Sequence, residues 1–351
     1  MTLAVAIVGA GGIAGQHAVA MESLRDDWRI THVCDLNSEL SGALAARTGA
    51  EATTELECVL TTSGVDVVDI CLPPSLHVPT ALKALDAGKH VVCEKPIAGS
   101  LAEIDALRAA ALAVGRHVFP VFQYRHGPAL RRLDLLKQAG LLGAPRVASL
   151  DTHWDRNSAY YSIAWRGTWA HELGGAVLSH AIHIHDLIRC AFGPVAEVSA
   201  FVGTLVNPIE TEDCAAIILR MANGALATSS ITLGSAENES RLRLVYERAT
   251  VESGRFPYNP AEADWTVTAR SQADQAAIDA VIAPEGLDGF AGYFSEVANM
   301  LEGRSSKAAD FDDGAASIEL ATAIYQSARR GTHVSLPLAT DAPFYNGWGP
   351  Q

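Results

Sequence analysis

The chain has 351 residues, of which 49% are hydrophobic and 19% charged, so it can bury a large core and is long enough for two domains. Its formal net charge of −14 argues against nucleic acid or an anionic membrane as a partner, because both require basic patches. The six cysteines form no Cys-x-x-Cys pair, and no apolar run has the length of a membrane span or the basic start of a signal peptide. We therefore expect a cytoplasmic protein with reduced thiols.

The first predicted strand, residues 3–8, is followed at once by a glycine-rich turn and a helical pattern. The turn has the Gly-x-Gly-x-x-Ala form of the dinucleotide fingerprint, with Gly9, Gly11 and Ala14 at its defining positions. Gly9 permits the tight turn, Gly11 lets the backbone approach a pyrophosphate, and Ala14 is small enough for close helix packing. This stretch predicts a dinucleotide site at the amino end of the helix.

The second predicted strand, residues 29–34, ends in Asp35, about 20 residues after the fingerprint. A carboxylate at this spacing accepts hydrogen bonds from the adenosine ribose and would repel a 2′-phosphate. Leu36 and Asn37 follow, so no arginine is present there to bind such a phosphate. The pattern predicts NAD rather than NADP as the cofactor.

Strand and helix patterns continue to alternate, as a parallel sheet with crossover helices requires. Apolar runs at 65–71, 90–93 and 117–122 are the later strands, and a Leu-Pro-Pro turn follows the first of them. A doubly wound α/β fold ends with its sixth strand, which we assign to the run at 117–122, so we expect this Rossmann dinucleotide-binding domain to end near Gln123.

Two stretches of the first half carry a family pattern. Residues 66–77 read Asp-Val-Val-Asp-Ile-Cys-Leu-Pro-Pro-Ser-Leu-His, and residues 87–96 read Ala-Gly-Lys-His-Val-Val-Cys-Glu-Lys-Pro. Together with the fingerprint they resemble the Gfo/Idh/MocA family of oxidoreductases, which includes glucose–fructose oxidoreductase and inositol 2-dehydrogenase. The resemblance implies an NAD-binding Rossmann domain over residues 1–124 and an α+β domain for substrate binding and oligomerisation over residues 125–351.

The resemblance also implies where the cofactor binds. Lys95 falls on the catalytic lysine at the nicotinamide end, and Glu94, Pro73 and His77 border the cofactor. The full set of residues expected at the cofactor is Gly9, Gly11, Gly12, Ile13, Asp35, Leu72, Pro73, His77, Glu94, Lys95, Gln123, Trp165 and Arg166.

The second half contains four runs with strand character, at 143–153, 195–204, 213–221 and 226–233. The last two are joined through Asn223-Gly224, the strongest short hairpin signal in the chain. Strands that follow one another without helices pair in antiparallel fashion, which predicts an α+β domain. The resemblance implies one large, open, mostly antiparallel sheet whose free face packs against another subunit, hence a homodimer or homotetramer.

A loop rich in aromatic and basic residues follows the first strand of this half. Its five aromatic side chains and two arginines are Trp154, Arg156, Tyr160, Tyr161, Trp165, Arg166 and Trp169. Amphipathic aromatic rings suit the apolar faces and polar edges of sugars, so the loop is a candidate substrate site. The residues alone equally allow a loop folded over its own aromatic cluster.

From Gly174-Gly175 onward the spacing predicts one helix with Ser179, His183 and Asp186 on the same face. This resembles the family's Gly-Gly-…-Asp-x-Gly-x-His-x-x-Asp motif, which implies that His183 is the catalytic histidine and Asp186 the second aspartate. Ser179 stands where the family has its first aspartate. We expect Ser179 to bind a substrate hydroxyl instead.

The residues expected at the substrate are Lys95, Arg125, His153, Tyr160, Arg166, Ser179, His180 and His183. The cluster of His180, His183, His185 and Asp186 is an alternative metal site, because imidazole is a common transition-metal ligand. On a helix, however, His185 points away from the other two histidines, and zinc sites need ligands that converge. We therefore expect no metal.

The combined pattern predicts NAD-dependent oxidation of a secondary hydroxyl of a sugar, a cyclitol or a sugar derivative, with Lys95 and His183 in acid–base roles. Two alternatives stay open. One is an NAD-dependent glycoside hydrolase of the same family, and the other is a non-catalytic NAD-binding regulator.

Overall fold

The computed structural model describes residues 2–349, which form two compact units. The first unit contains the chain up to Phe122 together with Phe290–Ile318, and the second contains Gln123–Gly289 and the chain from Glu319 onward. The domain boundary after Tyr124 that the sequence suggests stays a prediction. No pattern in the sequence indicated that Phe290–Ile318 packs with the first unit.

Six parallel strands with intervening helices form the first unit. The elements are β1 (Leu3–Val8), α1 (Gly12–Ser23), β2 (Trp28–Cys34), α2 (Ser38–Thr48), β3 (Glu51–Thr53), α3 (Leu56–Thr61), β4 (Val67–Ile70), α4 (His77–Asp86), β5 (His90–Cys93), α5 (Leu101–Val114) and β6 (Val118–Pro120). The strand order is β3-β2-β1-β4-β5-β6, so the order reverses between β1 and β4. Ligands of such sheets bind outside the carboxyl ends of the strands at that point. This architecture confirms the predicted doubly wound Rossmann fold.

Burial and capping explain why these segments adopt this fold. All six side chains of β1 and all four of β4 are buried, as expected for parallel strands with helices on both faces of the sheet. Two of the helices begin at side-chain caps: Asn37 accepts a hydrogen bond from the N–H of Glu39, and Ser100 accepts one from the N–H of Glu103. Runs of buried side chains and helix-capping residues are both features of short stretches of the sequence.

An eight-stranded sheet dominates the second unit. The remaining elements of the chain are α6 (Pro128–Gln138), β7 (Pro145–Asp155), α7 (Ala176–Ser179), α8 (Ile182–Phe192), β8 (Val195–Gly203), β9 (Cys214–Met221), β10 (Leu226–Thr232), β11 (Gly234–Tyr246), β12 (Ala249–Glu252), β13 (Thr266–Ala269), α9 (Gln272–Asp279), α10 (Gly289–Leu301), α11 (Phe311–Arg330) and β14 (Val334–Ser335). The strand order is β13-β12-β11-β7-β10-β9-β8-β14. Within this sheet, as described over residues 2–349, only β7 and β10 are parallel neighbours, which confirms the predicted mostly antiparallel sheet.

Helix α10 contributes apolar side chains to the core of the first unit. Tyr293, Phe294 and Val297 are fully buried in that core. The indole N–H of Trp28 donates a hydrogen bond of 3.0 Å to the carbonyl of Phe294, which joins the helix to the start of β2. None of the described helices has the length and hydropathy that crossing a membrane requires.

The hairpin between β9 and β10 turns at the predicted dipeptide. Gly224 has φ +87°, and the N–H of Met221 donates to the carbonyl of Ala225 at 2.8 Å. Along both strands, side chains alternate between buried and exposed. One face of the sheet therefore belongs to the core of the second unit, and the other face is open.

The segment predicted as one helix after Gly174-Gly175 is two helices, so that prediction is wrong. Helix α7 ends at Ser179, and His180 has φ −120° and ψ −58° before α8 begins. The Ser179 hydroxyl forms hydrogen bonds with the Gly175 carbonyl and with the His180 ring, and such local bonds compete with a continuous helix. Ser179 and His183 consequently do not share the face of one helix.

Candidate active site

The glycine turn after β1 requires glycine at one position. Gly9 has φ +95°, and a Cβ built on it would lie 2.4 Å from the carbonyl oxygen of Cys71, at the end of β4. A Cβ on Gly11 or Gly12 would meet nothing within 4 Å, and Ile13 behind them is half-buried. The turn is therefore tightly packed on its inner side and open on its outer side, as a pyrophosphate site requires.

Asp35 joins the end of β2 to the glycine turn. Its Oδ2 accepts a hydrogen bond of 2.7 Å from the N–H of Ala10, and its Oδ1 accepts one of 2.8 Å from the N–H of Asn37. Each carboxylate oxygen can accept a second hydrogen bond, and the side chain is only half-buried. Asp35 is thus fixed in place with acceptor capacity left for ribose hydroxyls.

His77 joins the ends of β4 and β5. Its ring is buried, with Nε2 at 2.7 Å from the carbonyl oxygen of Leu72 and Nδ1 at 2.7 Å from that of Pro96. Burial lowers the pKa of His77 below its ordinary value, although both carbonyls favour the protonated ring. The His77 ring keeps the Leu72-Pro73 turn beside the residues that follow β5.

The Glu94 carboxylate lies beneath the backbone of Lys95. Its Oε2 accepts a hydrogen bond of 3.0 Å from the N–H of Lys95, and its Oε1 lies 3.2 Å from Nε2 of His17. Burial raises the pKa of Glu94, but the hydrogen bond and charge of His17, together with Lys95 and His77, outweigh that effect and bring the pKa below its ordinary value. Glu94 is therefore a buried carboxylate at the carboxyl end of β5.

His17 and its second partner, Asp69, are site residues that the sequence did not predict. His17 follows the glycine turn on α1, and its Nδ1 lies 2.9 Å from Oδ2 of Asp69 in β4. The available signal was an aspartate inside an otherwise apolar strand, because a buried charge needs a partner. Nothing local identified that partner as a histidine on the preceding helix.

In the second unit, Arg125 and Tyr124 pack against α8. Arg125 donates two hydrogen bonds to the buried Asp186, from Nε at 2.7 Å and from Nη2 at 2.6 Å. The ring of Tyr124 stacks on that of His183 with 4.3 Å between the ring centroids. Asp186 is thus bound by a guanidinium, and His183 is oriented by an aromatic ring.

A chain of hydrogen bonds determines the proton position on His180. Arg156 Nε donates to His180 Nε2 at 3.2 Å, so the ring proton lies on Nδ1. That nitrogen is 2.7 Å from the hydroxyl of Ser179, which in turn donates to the carbonyl of Gly175 at 2.7 Å. His180 is therefore a neutral ring, and the Ser179 hydroxyl is engaged on both sides. The proposed role of Ser179 at a substrate hydroxyl stays a prediction.

The aromatic loop forms one cluster of rings and guanidinium groups. The guanidinium carbon of Arg156 lies 4.5 Å from the ring centroid of Trp154 and 4.9 Å from that of Tyr160. The guanidinium carbon of Arg166 lies 3.8 Å from the Tyr160 centroid and 4.6 Å from that of Trp165. The loop is thus folded on its own aromatic cluster, with both charges held against ring faces.

His153 is not brought together with this cluster. It alternates with Trp154 along β7, so the two side chains point to opposite faces of the sheet. Its Nε2 lies 2.9 Å from the Ser230 hydroxyl on the neighbouring strand. A substrate role for His153 stays a prediction.

The residues of the alternative metal site have protein partners. His185 is buried with Nε2 at 3.0 Å from the Ser229 hydroxyl, and burial lowers its pKa to about 4. Asp186 pairs with Arg125, and His180 accepts from Arg156. These contacts direct the side chains to different neighbours.

Two expected cofactor residues carry buried polar atoms that lack a hydrogen-bond partner among residues 2–349. They are Nε of Arg166, a donor, and Oε1 of Gln123, an acceptor. Buried polar atoms are normally satisfied, so each of these atoms fits a polar ligand. In the first unit, the open outer side of the glycine turn and the spare acceptor capacity of Asp35 suit NAD.

Two family models match the chain. The Gfo/Idh/MocA oxidoreductase family, with its NAD-binding Rossmann fold, matches residues 3–122, and the Gfo/Idh/MocA C-terminal domain matches residues 130–252. The chain belongs to the Gfo/Idh/MocA family, and its first unit is the family's NAD-binding Rossmann domain.

Individual relatives agree with this assignment. The structure of the WlbA dehydrogenase from Bordetella pertussis with NADH and UDP-GlcNAcA is 30% identical with a TM-score of 0.86, and the match covers 97% of this chain and 100% of that one. Levoglucosan dehydrogenase of Pseudarthrobacter phenanthrenivorans is 27% identical over 57% of this chain. Inositol 2-dehydrogenase of Rubrobacter xylanophilus is 32% identical over 44% of this chain. The sequence matches span 58% and 44% of these two curated relatives.

Lys95 belongs to the first unit and His183 to the second. The proximity of these two side chains to one nicotinamide ring stays a prediction.

Proposed function

We propose that the protein is an NAD-dependent dehydrogenase that oxidises a secondary hydroxyl of a sugar, a cyclitol or a sugar derivative. The observation that carries the proposal is the group formed by Leu72, His77, Glu94 and Lys95 at the carboxyl ends of β4 and β5, next to the glycine turn. That position is where sheets of this type bind the reactive end of a dinucleotide. NAD, when bound, accepts the hydride of the carbinol carbon.

Lys95 is the first candidate to remove the proton of the substrate hydroxyl. Its side chain is half-buried, and its backbone is positioned by the bond to Glu94. An ammonium close to a cationic ring is disfavoured relative to the neutral amine, which is the form that takes a proton. A general base with this role typically contributes about 10²–10⁴-fold to the rate.

His183 is the second acid–base candidate. Its ring is buried and stacks on Tyr124, so its orientation is restricted before substrate arrives. The neighbouring ion pair of Arg125 with Asp186 fixes the start of α8, on which His183 lies. We infer that His183 has an acid–base role at the substrate hydroxyl.

The aromatic loop supports a sugar or cyclitol as the substrate. Tyr160 and Trp165 contribute aromatic rings, and the adjacent Arg166 contributes guanidinium donors, which together are the groups that polyhydroxylated rings require. The names of the relatives point to the same class of molecule, since WlbA was crystallised with a nucleotide sugar and the curated relatives act on levoglucosan or inositol.

We further propose a homodimer or homotetramer that buries the open face of the large sheet. Four large apolar side chains are exposed on this face, at Val147, Phe201, Ile218 and Leu226. The strand register places all four side chains on one side of the sheet. Val147 is paired with Leu226, and the pairings of β9 with β10 and β8 put Ile218 and Phe201 on that side as well. An apolar patch of this kind is typical of a subunit interface.

A substrate screen tests the function. Purified protein is incubated with NAD and a panel of sugars, inositols, uronic acids and nucleotide sugars, and NADH formation is followed by absorbance. We expect turnover with members of one of these groups. Cleavage of a glycoside without net NADH formation would indicate the hydrolase alternative, and NAD binding without any turnover would indicate the regulator.

A further inference from the structure

Three charged side chains meet beneath the site in the first unit. The imidazole of His17 lies between two carboxylates, with Nδ1 at 3.1 and 2.9 Å from the two oxygens of Asp69 and Nε2 at 3.2 Å from Oε1 of Glu94. Asp69 and His17 have no exposed surface, and Glu94 is buried. These three residues are called the buried triad below.

The partners of the ring show how it is protonated. An ionised carboxylate only accepts hydrogen bonds, so an imidazole between two carboxylates must donate from both nitrogens and carry a positive charge. Burial lowers the pKa of His17, but the charge of Asp69 outweighs that effect and raises the pKa well above its ordinary value. The buried triad then contains one positive and two negative charges, and is net negative.

The strand order places the buried triad at one end of the cofactor site. Asp35, the ribose-binding candidate, follows β2, and the glycine turn follows β1. Since the order is β3-β2-β1-β4-β5-β6, a dinucleotide with its pyrophosphate at β1 and its adenosine at β2 extends its nicotinamide over β4 and β5. Asp69 lies in β4, and Glu94 follows β5.

We propose that His17 is a positioning residue that keeps Glu94 ionised at the nicotinamide end and so makes the site bind NAD⁺, whose nicotinamide ring is cationic, in preference to NADH, whose ring is neutral. The oxidised ring carries a positive charge that the reduced ring lacks, and a nearby carboxylate attracts only the former. His17 would not touch the cofactor, since it acts through Glu94. The inference rests on the cofactor site of the proposed function but on no particular substrate.

Other groups around the buried triad affect the same balance. The titratable groups that face it are Cys71, His77, Cys93 and Lys95, and the rings of Phe290 and Phe294 cover the His17 imidazole. The two thiols stay protonated because burial raises the pKa of each of them. Lys95 is the group whose own charge would oppose NAD⁺, so its contribution must be removed in the test.

The experiment compares Lys95→Ala with the double variant Lys95→Ala/His17→Gln. Glutamine retains an N–H donor toward Glu94 but carries no charge, so burial should then raise the pKa of Glu94. Dissociation constants for NAD⁺ and NADH are measured between about pH 6 and about pH 8.5 by calorimetry and NADH fluorescence. If the pKa of Glu94 differs by one unit between the NAD⁺ complex and the NADH complex, its titration changes the ratio of the two dissociation constants tenfold.

We expect the preference for NAD⁺ over NADH to be constant with pH in Lys95→Ala. In the double variant, the preference for NAD⁺ over NADH should fall about tenfold as the pH is lowered and Glu94 takes a proton. His185→Gln in the same Lys95→Ala background is the matched control, because His185 is a buried neutral histidine of the second unit. This control should leave the ratio of the NAD⁺ and NADH affinities constant with pH.

A constant ratio in the folded double variant, or the same pH dependence in the His185→Gln control, would overturn the proposal. If the His17 variant does not fold, Glu94→Gln provides the test, because the amide oxygen still accepts from the N–H of Lys95. Its preference for NAD⁺ should be weaker than that of the unmodified protein at every pH. An unchanged preference would also contradict the role assigned to His17.

Discussion

Arg125 binds Asp186 in a bidentate ion pair, with 2.7 Å between Nε and Oδ2 and 2.6 Å between Nη2 and Oδ1. The Asp186 side chain is 1% exposed, and Arg189 lies 3.7 Å from the same carboxylate. The second aspartate of the family motif is therefore compensated by two guanidinium groups. Its evident physical role is to join the short turn Gln123–Arg125 to α8.

Asp186→Asn should destabilise the protein by about 3–5 kcal/mol, because it leaves a buried guanidinium without its charge partner. The free energy of unfolding is measured with a chemical denaturant. The matched control is Glu197→Gln, which breaks the exposed ion pair with Arg220 and should cost at most about 1 kcal/mol. Equal destabilisation by the two variants would contradict a structural role for Asp186.

Gly9→Ala should abolish NAD binding and lower stability. The added Cβ would lie 2.4 Å from the backbone oxygen of Cys71. Gly9 also has φ +95°, and backbone strain at such a residue costs about 1–3 kcal/mol before the clash is counted. Gly42→Ala, in the middle of α2 with no atom near its Cβ, is the control and should be neutral or stabilising. Calorimetric titration with NAD and thermal unfolding provide the two readouts, and an intact NAD affinity in folded Gly9→Ala would rule out a tightly packed turn.

Glu212 should make the second unit less stable as the pH rises. Its carboxylate accepts from the N–H groups of Gly175 and Val177 and from the Tyr325 hydroxyl, and burial raises its pKa from 4.5 to about 7. The folded state therefore binds the Glu212 proton more tightly than the unfolded state. The free energy of unfolding consequently falls as the pH rises from 4.5 to about 7.

The slope from this one group is at most about 1.4 kcal/mol per pH unit. Glu212→Gln should remove it, whereas Glu197→Gln should leave it unchanged. Denaturant unfolding at several pH values measures both. The expectation fails if the pH profiles of Glu212→Gln and the unmodified protein are parallel.

Lys95→Ala should reduce turnover by at least about 10²-fold while NAD still binds, because only the acid–base group is lost. Lys95→Arg retains the charge but supplies no base, and it should be similarly inactive. Lys83→Ala, at an exposed position on α4, is the control and should keep full activity. Steady-state kinetics with the substrate from the screen measure all three, and an active Lys95→Ala would refute the assignment.

Ile218→Glu should disrupt the proposed oligomer. Ile218 is 59% exposed on the open sheet face, and a carboxylate there would be desolvated on assembly. Ile282→Glu, at a residue that is 81% exposed outside the sheet, is the matched control. Light scattering after size-exclusion chromatography should show a smaller species only for Ile218→Glu. A monomeric unmodified protein would remove the basis of this prediction.

Most of the fold could be predicted because its signals act over short distances. The glycine turn at Gly9 and the hairpin at Asn223-Gly224 each depend on a few neighbouring residues, and both are found where the pattern places them. The helix break at His180 was missed because apolar periodicity continues across it. The bonds of the Ser179 hydroxyl that accompany the break leave no trace in that periodicity.

The residues of the candidate site likewise divide into those that the sequence predicted and those that it did not. Leu72, His77 and Glu94 lie together at the carboxyl ends of β4 and β5, and that they border the cofactor stays a prediction. His17 was not predicted, because a histidine after the glycine turn has no assigned role until its neighbours are known. The association of Phe290–Ile318 with the first unit was missed for a related reason: an amphipathic helix does not indicate which core it joins.

The sequence by itself determined the doubly wound fold of the first unit, the dinucleotide turn and the family, because turns and motifs are properties of adjacent residues. Only the tertiary structure decided which buried charges meet. His17 and Asp69 are 52 positions apart and Arg125 and Asp186 are 61 apart, yet each pair is in direct contact. The Coulomb energy of a buried pair depends on distance in space and on exclusion of water, and neither quantity is encoded in any short stretch of the chain.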